Sequence, residues 1–309
     1  MSGSGGAIVP AVAIVGATAS GKSDLAMALA RAVPRVEIVA VDAMQVYRGM
    51  DIGTAKPTEA ERAEVRHHGL DLVAPSEQFT VADFQQMANE TLGTIASRGG
   101  MPVLVAGTGL YLSALVNRLE LPGSWPEVRI RLEHEALEDL SAMFRRLESL
   151  DPVAASRMER TNARRIVRAL EVCEGSGRPF SSFGPGLETY PQSGITQIGL
   201  RWTRERLATR IERRVHRMME LGLFGEVERL AGSGAFSRTA RQALGYKELL
   251  DVLDGLCSLD EAVGTIIVRT RQFAVRQDRW FRRDPRIRWI DIEMDSLEAL
   301  PVLTGAVMA

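Results

Sequence analysis

The sequence predicts an α/β fold, a parallel sheet flanked by helices, with a helical insertion interrupting it. Three observations carry this. Short apolar runs rich in β-branched residues, at 12–15, 37–41 and 101–106, alternate with longer stretches of helical spacing. Strand, helix, strand, helix, strand in that order gives parallel neighbours joined by right-handed crossovers. A glycine-rich segment, Gly16-Ala17-Thr18-Ala19-Ser20-Gly21-Lys22-Ser23, lies between the first such run and the first helix. Residues 127–173 hold no strand candidate at all.

Each element follows from its residues. Val12-Ala13-Ile14-Val15 is apolar throughout and stops at Gly16, the pattern of a strand buried on both faces. In residues 22–33 the apolar side chains Leu25, Ala26, Leu29, Ala32 and Val33 recur at helical spacing, and Pro34 ends the run. Residues 37–41 form a second buried strand ending at Asp42. Residues 82–97 read as a helix closed by Gly99-Gly100. Residues 101–106, MPVLVA, make a third strand that runs into Gly107-Thr108-Gly109. Leu121-Pro122-Gly123-Ser124-Trp125-Pro126 marks a boundary. Residues 175–194, rich in Gly, Ser and Pro, form a loop, and 195–202 return as a strand. Long helices are expected at 203–230 and 246–281, and a last strand at 288–291. The expected division is a core of residues 1–118 and 196–309 with an insertion of residues 119–195. The chain shows no internal repeat and no low-complexity tract.

A length of 309 residues suits one large domain or a core plus a smaller one. Two cysteines, Cys173 and Cys257, offer neither a disulfide framework nor a C-x-x-C metal pair, which fits a reducing cytoplasm. Residues 1–6 contain no basic residue and the apolar stretch after them holds Pro10, so no secretory signal is expected. No run is long enough to span a membrane. The net charge of −1 hides an asymmetry. Arginine clusters at Arg157, Arg160, Arg164, Arg165 and Arg168, and again within 201–217 and 269–288. That local pattern fits a polyanionic partner. The same residues also read as solvated helix faces, with Glu205, Glu212, Asp278 and Asp284 as partners. The histidines show no metal spacing, and His67-His68 reads as structural. Met218-Met219 reads as core. Trp280 and Phe281 suit core packing, with stacking on a base as the alternative.

The glycine-rich segment matches G-x-x-x-x-G-K-[ST] in its strand-to-helix setting, a P-loop, so the expected core is P-loop NTPase-like. Its backbone N–H groups and the following helix N-terminus face a polyanion. Lys22 adds a point charge for terminal phosphate oxygens, and the Ser23 hydroxyl suits Mg2+. The strand at 101–106 ends without the acid a motor ATPase places there, whereas the second strand ends in Asp42. That combination fits a small-molecule kinase, or an enzyme that binds a diphosphate and expels it. Asp42 at the carboxyl edge of the sheet is placed to act as a general base or to orient a metal-bound water. A loop-ordering cap is its other reading. Thr108 shares that edge and could position a nucleophile or a phosphate, or simply cap a helix.

Together these segments resemble the bacterial tRNA dimethylallyltransferases, the tRNA isopentenyladenosine transferases. The resemblance runs over nearly the whole chain. It begins with GATASGKS at 16–23 and the more specific VDAMQVYRGMDIGTAKP at 41–57. It continues through HHGLDLVAPSEQFTVADF, GTGLY at 107–111, DPVAASRM, RRIVRALEV, RIERRVHRMMELGLFGEV, RQALGYKE and RTRQFAVRQDRWFRRD. Ala106 stands where the family has a first glycine. The resemblance implies that the P-loop holds the diphosphate of dimethylallyl diphosphate rather than ATP. The acceptor it implies is N6 of adenosine 37, in the anticodon stem-loop of tRNA. By the same match, Asp42 accepts the N6 proton, Thr108 lies near the reacting centre and Arg214 contacts the diphosphate. Asp42, Ala43, Met44 and Gln45, then Arg164, Arg165 and Arg168, then Gln242, Gly245 and Lys247, match tRNA-contacting positions. The implied protein is a cytoplasmic monomer that uses Mg2+ and touches no membrane. Three alternatives stay open on the residues alone: prenylation of free adenine nucleotides, an ATP-dependent kinase, and an RNA-binding P-loop protein without catalysis.

Overall fold

The computed structural model describes residues 10–184, 186–234 and 236–308. The expectation about a secretory signal in residues 1–6 lies outside them. The chain forms two compact units, residues 1–116 with 192–309, and residues 117–191.

In the first unit β1 (Ala11–Gly16), α1 (Lys22–Ala32), β2 (Val36–Val41), α2 (Glu59–Glu64), β3 (His67–His68), α3 (Val81–Ser97), β4 (Met101–Ala106) and α4 (Gly109–Val116) follow one another. Six strands form one parallel sheet in the order β3-β2-β4-β1, continued by the fifth and sixth strands described below. All six residues of β1 and of β2 are buried, as strands covered on both faces must be, and the one charged residue among them, Glu37, pairs with Arg98 and His68.

The second unit carries α5 (Pro126–Glu138), α6 (Leu140–Leu150), α7 (Pro152–Ser156) and α8 (Ala163–Ser176). Leu132, Phe144, Leu147, Ile166 and Leu170 close its own small core. Two buried carboxylates tie its loops down. Glu171 accepts from the Trp125 N–H (2.9 Å) and pairs with Arg129 and Arg168. Asp151 caps α7 through the Ala154 N–H (2.9 Å) and receives both the N–H and the hydroxyl of Ser181, each at 2.7 Å.

The chain re-enters the first unit through β5 (Ile195–Arg201), then α9 (Arg204–Glu220), α10 (Leu223–Ser233), α11 (Tyr246–Leu253), α12 (Leu259–Phe281), β6 (Arg288–Asp291) and α13 (Leu300–Met308). β5 pairs with β1 on the side opposite β4 (Ile14 faces Ile198), and β6 adds to β5. One face of the sheet packs Ile14 and Ile38 against Leu25 and Leu29 of α1 and Leu303 of α13. The other packs Ala13 and Val39 against Phe84 and Ile95 of α3, Leu115 of α4 and Phe281. A third cluster joins Tyr47 and Met50 to Val215, Leu223, Tyr246, Leu249 and Ile266 of α9 to α12. Leu104 is fully buried in the middle strand, and truncating it to alanine should cost about 2–5 kcal/mol.

Differences from the expected elements have local causes. The helix expected at 203–230 breaks at Gly222 (φ 94°) into α9 and α10. The one expected at 246–281 breaks after Asp254, and Ser258 with Glu261 forms a capping box that starts α12 afresh. The short β3, α2 with its Thr58–Glu61 capping box, α4 and α13 join the elements read from sequence. Among the described residues no helix is long and apolar enough to cross a membrane.

Candidate active site

The carboxyl ends of β1, β2 and β4 bring the P-loop, Asp42 and Gly107-Thr108 to one edge of the sheet. The P-loop turns through Gly16 (φ 152°), Ala19 (φ 62°) and Gly21 (φ 86°) before α1 begins. Gly21 has a second reason to be glycine, since a Cβ there would lie 2.6 Å from the Cβ of Ser296. Two side chains from distant segments back the loop. Trp202 Nε1 donates to Ser20 O (3.0 Å), and Arg210 Nε donates to Ala19 O (2.8 Å) while its guanidinium lies 4.4 Å over the Trp202 ring.

Lys22 Nζ donates to Gly16 O (3.0 Å) and Ala17 O (2.8 Å). Burial, then the neighbouring Arg214 charge, push its ammonium down to about 7, while Asp42 pulls the other way. Arg214, on α9, is also pushed down by burial, with Asp42 and Asp24 opposing. Neither cation has an ion-pair partner within 4.0 Å among the described residues. Two partly buried positive charges without a paired anion form an electrostatic trap for a polyanion. They border a cavity of about 380 Å3 walled by Ala19 to Asp24 and by Arg210, Arg213 and Arg214, with Gln45, Lys56 and His67 across from them. Asp42 and Thr108 stand outside this wall, at the adjoining strand ends.

Asp42 orders the loop that follows it and leaves one carboxylate oxygen uncommitted among the described residues. Oδ1 accepts from the N–H groups of Met44 (2.8 Å) and Gln45 (3.3 Å), so it orders the loop. Oδ2 accepts no hydrogen bond among the described residues and faces Gly107, 3.1 Å from where a Cβ would stand. The Thr108 hydroxyl accepts from the Ala43 N–H (3.0 Å), which leaves its own proton to donate. It therefore tethers the Asp42 loop instead of capping α4.

The loop after Asp42 is held from several sides. Gln45 Nε2 donates to Thr54 O (3.0 Å) and Ala55 O (3.2 Å). The buried Lys56 ammonium meets Tyr47 O (2.5 Å), Asp51 (2.8 Å) and Asp71 (2.6 Å). Glu226, 1% exposed on α10, accepts from the N–H groups of Asp51, Ile52 and Gly53 (3.0, 2.8 and 3.2 Å) and from the Tyr246 hydroxyl (2.5 Å). Gln277, 6% exposed on α12, accepts from the Thr18 N–H and donates to Gly107 O, both at 2.7 Å. Sequence reasoning missed Lys56, Arg210, Glu226 and Gln277. All four sit inside segments quoted above, Lys56 in 41–57, Arg210 and Glu226 in RIERRVHRMMELGLFGEV and Gln277 in RTRQFAVRQDRWFRRD, yet nothing local marks their roles.

Elsewhere the surface is mixed. Arg164 and Arg165 on α8 are exposed and unpaired among the described residues. Arg168 instead donates to Pro122 O and Gly123 O and pairs with Glu171, so it fastens its own unit. Gly245 is buried, and its N–H is taken by Glu248 Oε2 (2.8 Å) at the start of α11. Gln242 is exposed and Lys247 half-buried. Asp278 pairs with Arg282 at the exposed end of α12, as the solvated-face reading expects, whereas Asp284 pairs with Arg286 in a partly buried turn beyond the helix. Glu212 pairs across helices with Arg271, and Arg217 with Glu220. His67 bonds to Val65 O and His68 to Glu37. Met218 and Phe281 are core, and Trp280 packs against the sheet face and Gly109. No cluster of three His, Cys, Asp or Glu side chains among the described residues could hold a metal alone.

Comparison with known proteins agrees with this layout. Residues 45–284 match the family described as IPP transferase, and residues 9–73 the one described as Isopentenyl transferase. The tRNA dimethylallyltransferase of Pseudarthrobacter chlorophenolicus is 49% identical over 94% of this chain and 96% of its own. That of Kineococcus radiotolerans is 47% identical, over 96% and 98%. Among solved structures, the tRNA isopentenylpyrophosphate transferase of Bacillus halodurans superposes with a TM-score of 0.69 at 38% identity, covering 97% of both chains. A eukaryotic dimethylallyltransferase acting on tRNA gives 0.77 at 27% identity, over 91% of this chain and 73% of the other. With the P-loop core and most of its length matched, the chain belongs to the IPP transferase family.

Proposed function

We propose that this protein transfers a dimethylallyl group from dimethylallyl diphosphate to N6 of adenosine 37 in tRNA and releases diphosphate. The observation that carries the reading is the pairing, on one sheet edge, of two cations without a counter-ion and an aspartate with one uncommitted oxygen. The diphosphate sits against the P-loop N–H groups, Lys22 and Arg214, which neutralise the charge that grows on it as its C1–O bond breaks. N6 forms the new bond to C1. Asp42 Oδ2 takes the proton that N6 loses, which an arylamine of low basicity needs. Thr108 donates its hydroxyl proton near the reacting centre.

Mg2+ fits the donor set. Ser23 offers a hydroxyl in the first turn of α1, and a cation that keeps several waters and substrate phosphates needs no protein cage. When bound, it supplies further positive charge to the departing diphosphate. The target base leaves its stack in the anticodon loop to reach the edge. Arg164 and Arg165, exposed and unpaired, grip the tRNA backbone, and the segment 42–45 with Gln242 and Lys247 contacts the loop. The protein acts as a cytoplasmic monomer, one acceptor per site.

Incubation with prenyl-labelled dimethylallyl diphosphate, Mg2+ and unmodified tRNA, with ATP as the competing donor, tests the proposal. Label in tRNA adenosine is the expected result. Phosphoryl transfer from ATP, or label taken up only by free adenine nucleotides, would sink it.

A further inference from the structure

Gln277, within the segment RTRQFAVRQDRWFRRD, holds a place that its sequence pattern alone does not reveal. Its carboxamide is almost wholly buried and both ends are in use: Oε1 accepts from the Thr18 N–H of the P-loop, and Nε2 donates to Gly107 O at the end of β4, each at 2.7 Å. Gly107 in turn is fixed to the base-bearing strand. The N–H groups of Gly107 and Thr108 both donate to Val41 O (3.2 and 3.1 Å), and Ala43 N–H donates to Thr108 Oγ1. Asp42 Oδ2 faces the same glycine. One side chain from α12 therefore joins the loop that holds the leaving group to the strand ends that carry Thr108 and the base.

We propose that Gln277 is a positioning residue for prenyl transfer, setting the spacing between the diphosphate cradle and the Asp42–Thr108 edge. This rests on the prenyl-transfer reading above. The chemistry requires an amide. The N–H of Thr18 needs an acceptor and the carbonyl of Gly107 needs a donor, and a carboxamide presents one of each in a fixed plane. An apolar side chain of similar size leaves both backbone groups unpaired. A carboxylate satisfies Thr18 and sets a charge against the Gly107 carbonyl. A protonated carboxylic acid satisfies both. Both polar ends of the side chain are committed to backbone groups, so its loss should misplace reacting groups while leaving their binding surfaces intact.

The test is steady-state kinetics of the wild type, Gln277→Leu and Gln277→Glu across pH, with tRNA and dimethylallyl diphosphate varied in turn. Gln277→Leu should lower kcat on the order of 10²-fold, the scale of a small misplacement of reacting groups, with both KM values little changed. Gln277→Glu should be impaired at alkaline pH, and its kcat relative to wild type should climb as the pH falls and the acid regains its proton. A packing role alone gives no such climb, and this ratio decides the matter even if Gln277→Leu fails to fold. Wild-type kcat in both variants, a loss confined to KM, or a Gln277→Glu ratio flat with pH would overturn the positioning role while leaving prenyl transfer standing. A wild-type protein inert towards dimethylallyl diphosphate and tRNA would overturn both.

Discussion

The P-loop and the loop that follows Asp42 border the same site and are built in opposite ways. The P-loop takes most of its shape from its own residues: Gly16, Ala19 and Gly21 set its backbone and Lys22 bonds back to two of its carbonyls, while Trp202, Arg210 and Gln277 brace it from outside. The segment 42–57 begins with its own Asx-type turn at Asp42, but its far end hangs on Glu226, more than 170 residues away. A loop shaped mainly by its own residues should keep its anion site when the segment 42–57 is released. A loop fastened from outside can be released by one distant substitution, and catalysis should go with it.

The largest effect is expected at Asp42. Asp42→Asn retains an oxygen for the Met44 and Gln45 N–H groups and loses the base, so it separates the two roles of the residue. Transfer should fall about 10²- to 10⁴-fold. Binding of tRNA in a filter assay should remain near the wild-type level, as should that of diphosphate. Asp42→Ala should lose the same transfer activity and also loosen the loop. Full transfer by either variant would remove the catalytic assignment.

Glu226 tests the fastening. Glu226→Leu strands three backbone donors and the Tyr246 hydroxyl in a buried place, which should lower stability by about 3 kcal/mol in urea unfolding. Transfer should drop while the affinity for inorganic diphosphate holds. An equal loss of diphosphate affinity would show that the two loops are not independent.

The smallest effect is a proton. With its ammonium near 7, Lys22 is mostly neutral in the unliganded protein at a pH of about 8 and regains its charge when a polyanion arrives. Diphosphate binding should therefore take up protons above about pH 7 and lose this contribution below about pH 6. Calorimetry in buffers of different ionisation enthalpy, with Lys22→Met subtracting the ligand's own protons, reads the difference. Because the folded state holds this proton less tightly than the unfolded chain, the same group makes stability rise with pH between about 7 and 10.5. Equal uptake by wild type and Lys22→Met would show that Lys22 stays charged throughout.

What was legible in the sequence divides along the same line. The P-loop, the three strands at 12–15, 37–41 and 101–106, and Asp42 and Thr108 at strand ends are fixed by neighbours a few residues away, and the pattern displays them. The breaks at Gly222 and Asp254 were also local, and the Ser258–Glu261 box was there to be read, yet helical spacing ran on across both sites and hid them. Strand β3 is two residues long and exists only because Ile38 and Val39 pair with it. Glu226 and Gln277 look like ordinary helix residues. Their roles come from the fold, which turns them inward against backbone groups 170 to 259 residues away. Arg168, grouped by sequence with Arg164 and Arg165, points back to Pro122 and Glu171, because it lies one turn on, nearer the buried face of α8.

Whether the phosphates held by the P-loop are discarded or donated is decided most directly by isotope. Dimethylallyl diphosphate carrying heavy oxygen in the bridge between C1 and phosphorus is turned over with unmodified tRNA, and the products are weighed by mass spectrometry. All of the label should leave in diphosphate, with the prenyl group on adenosine N6. Heavy oxygen retained in dimethylallyl alcohol, or a phosphorylated acceptor, would mean that the P–O bond breaks, and that the loop holds a group to be transferred.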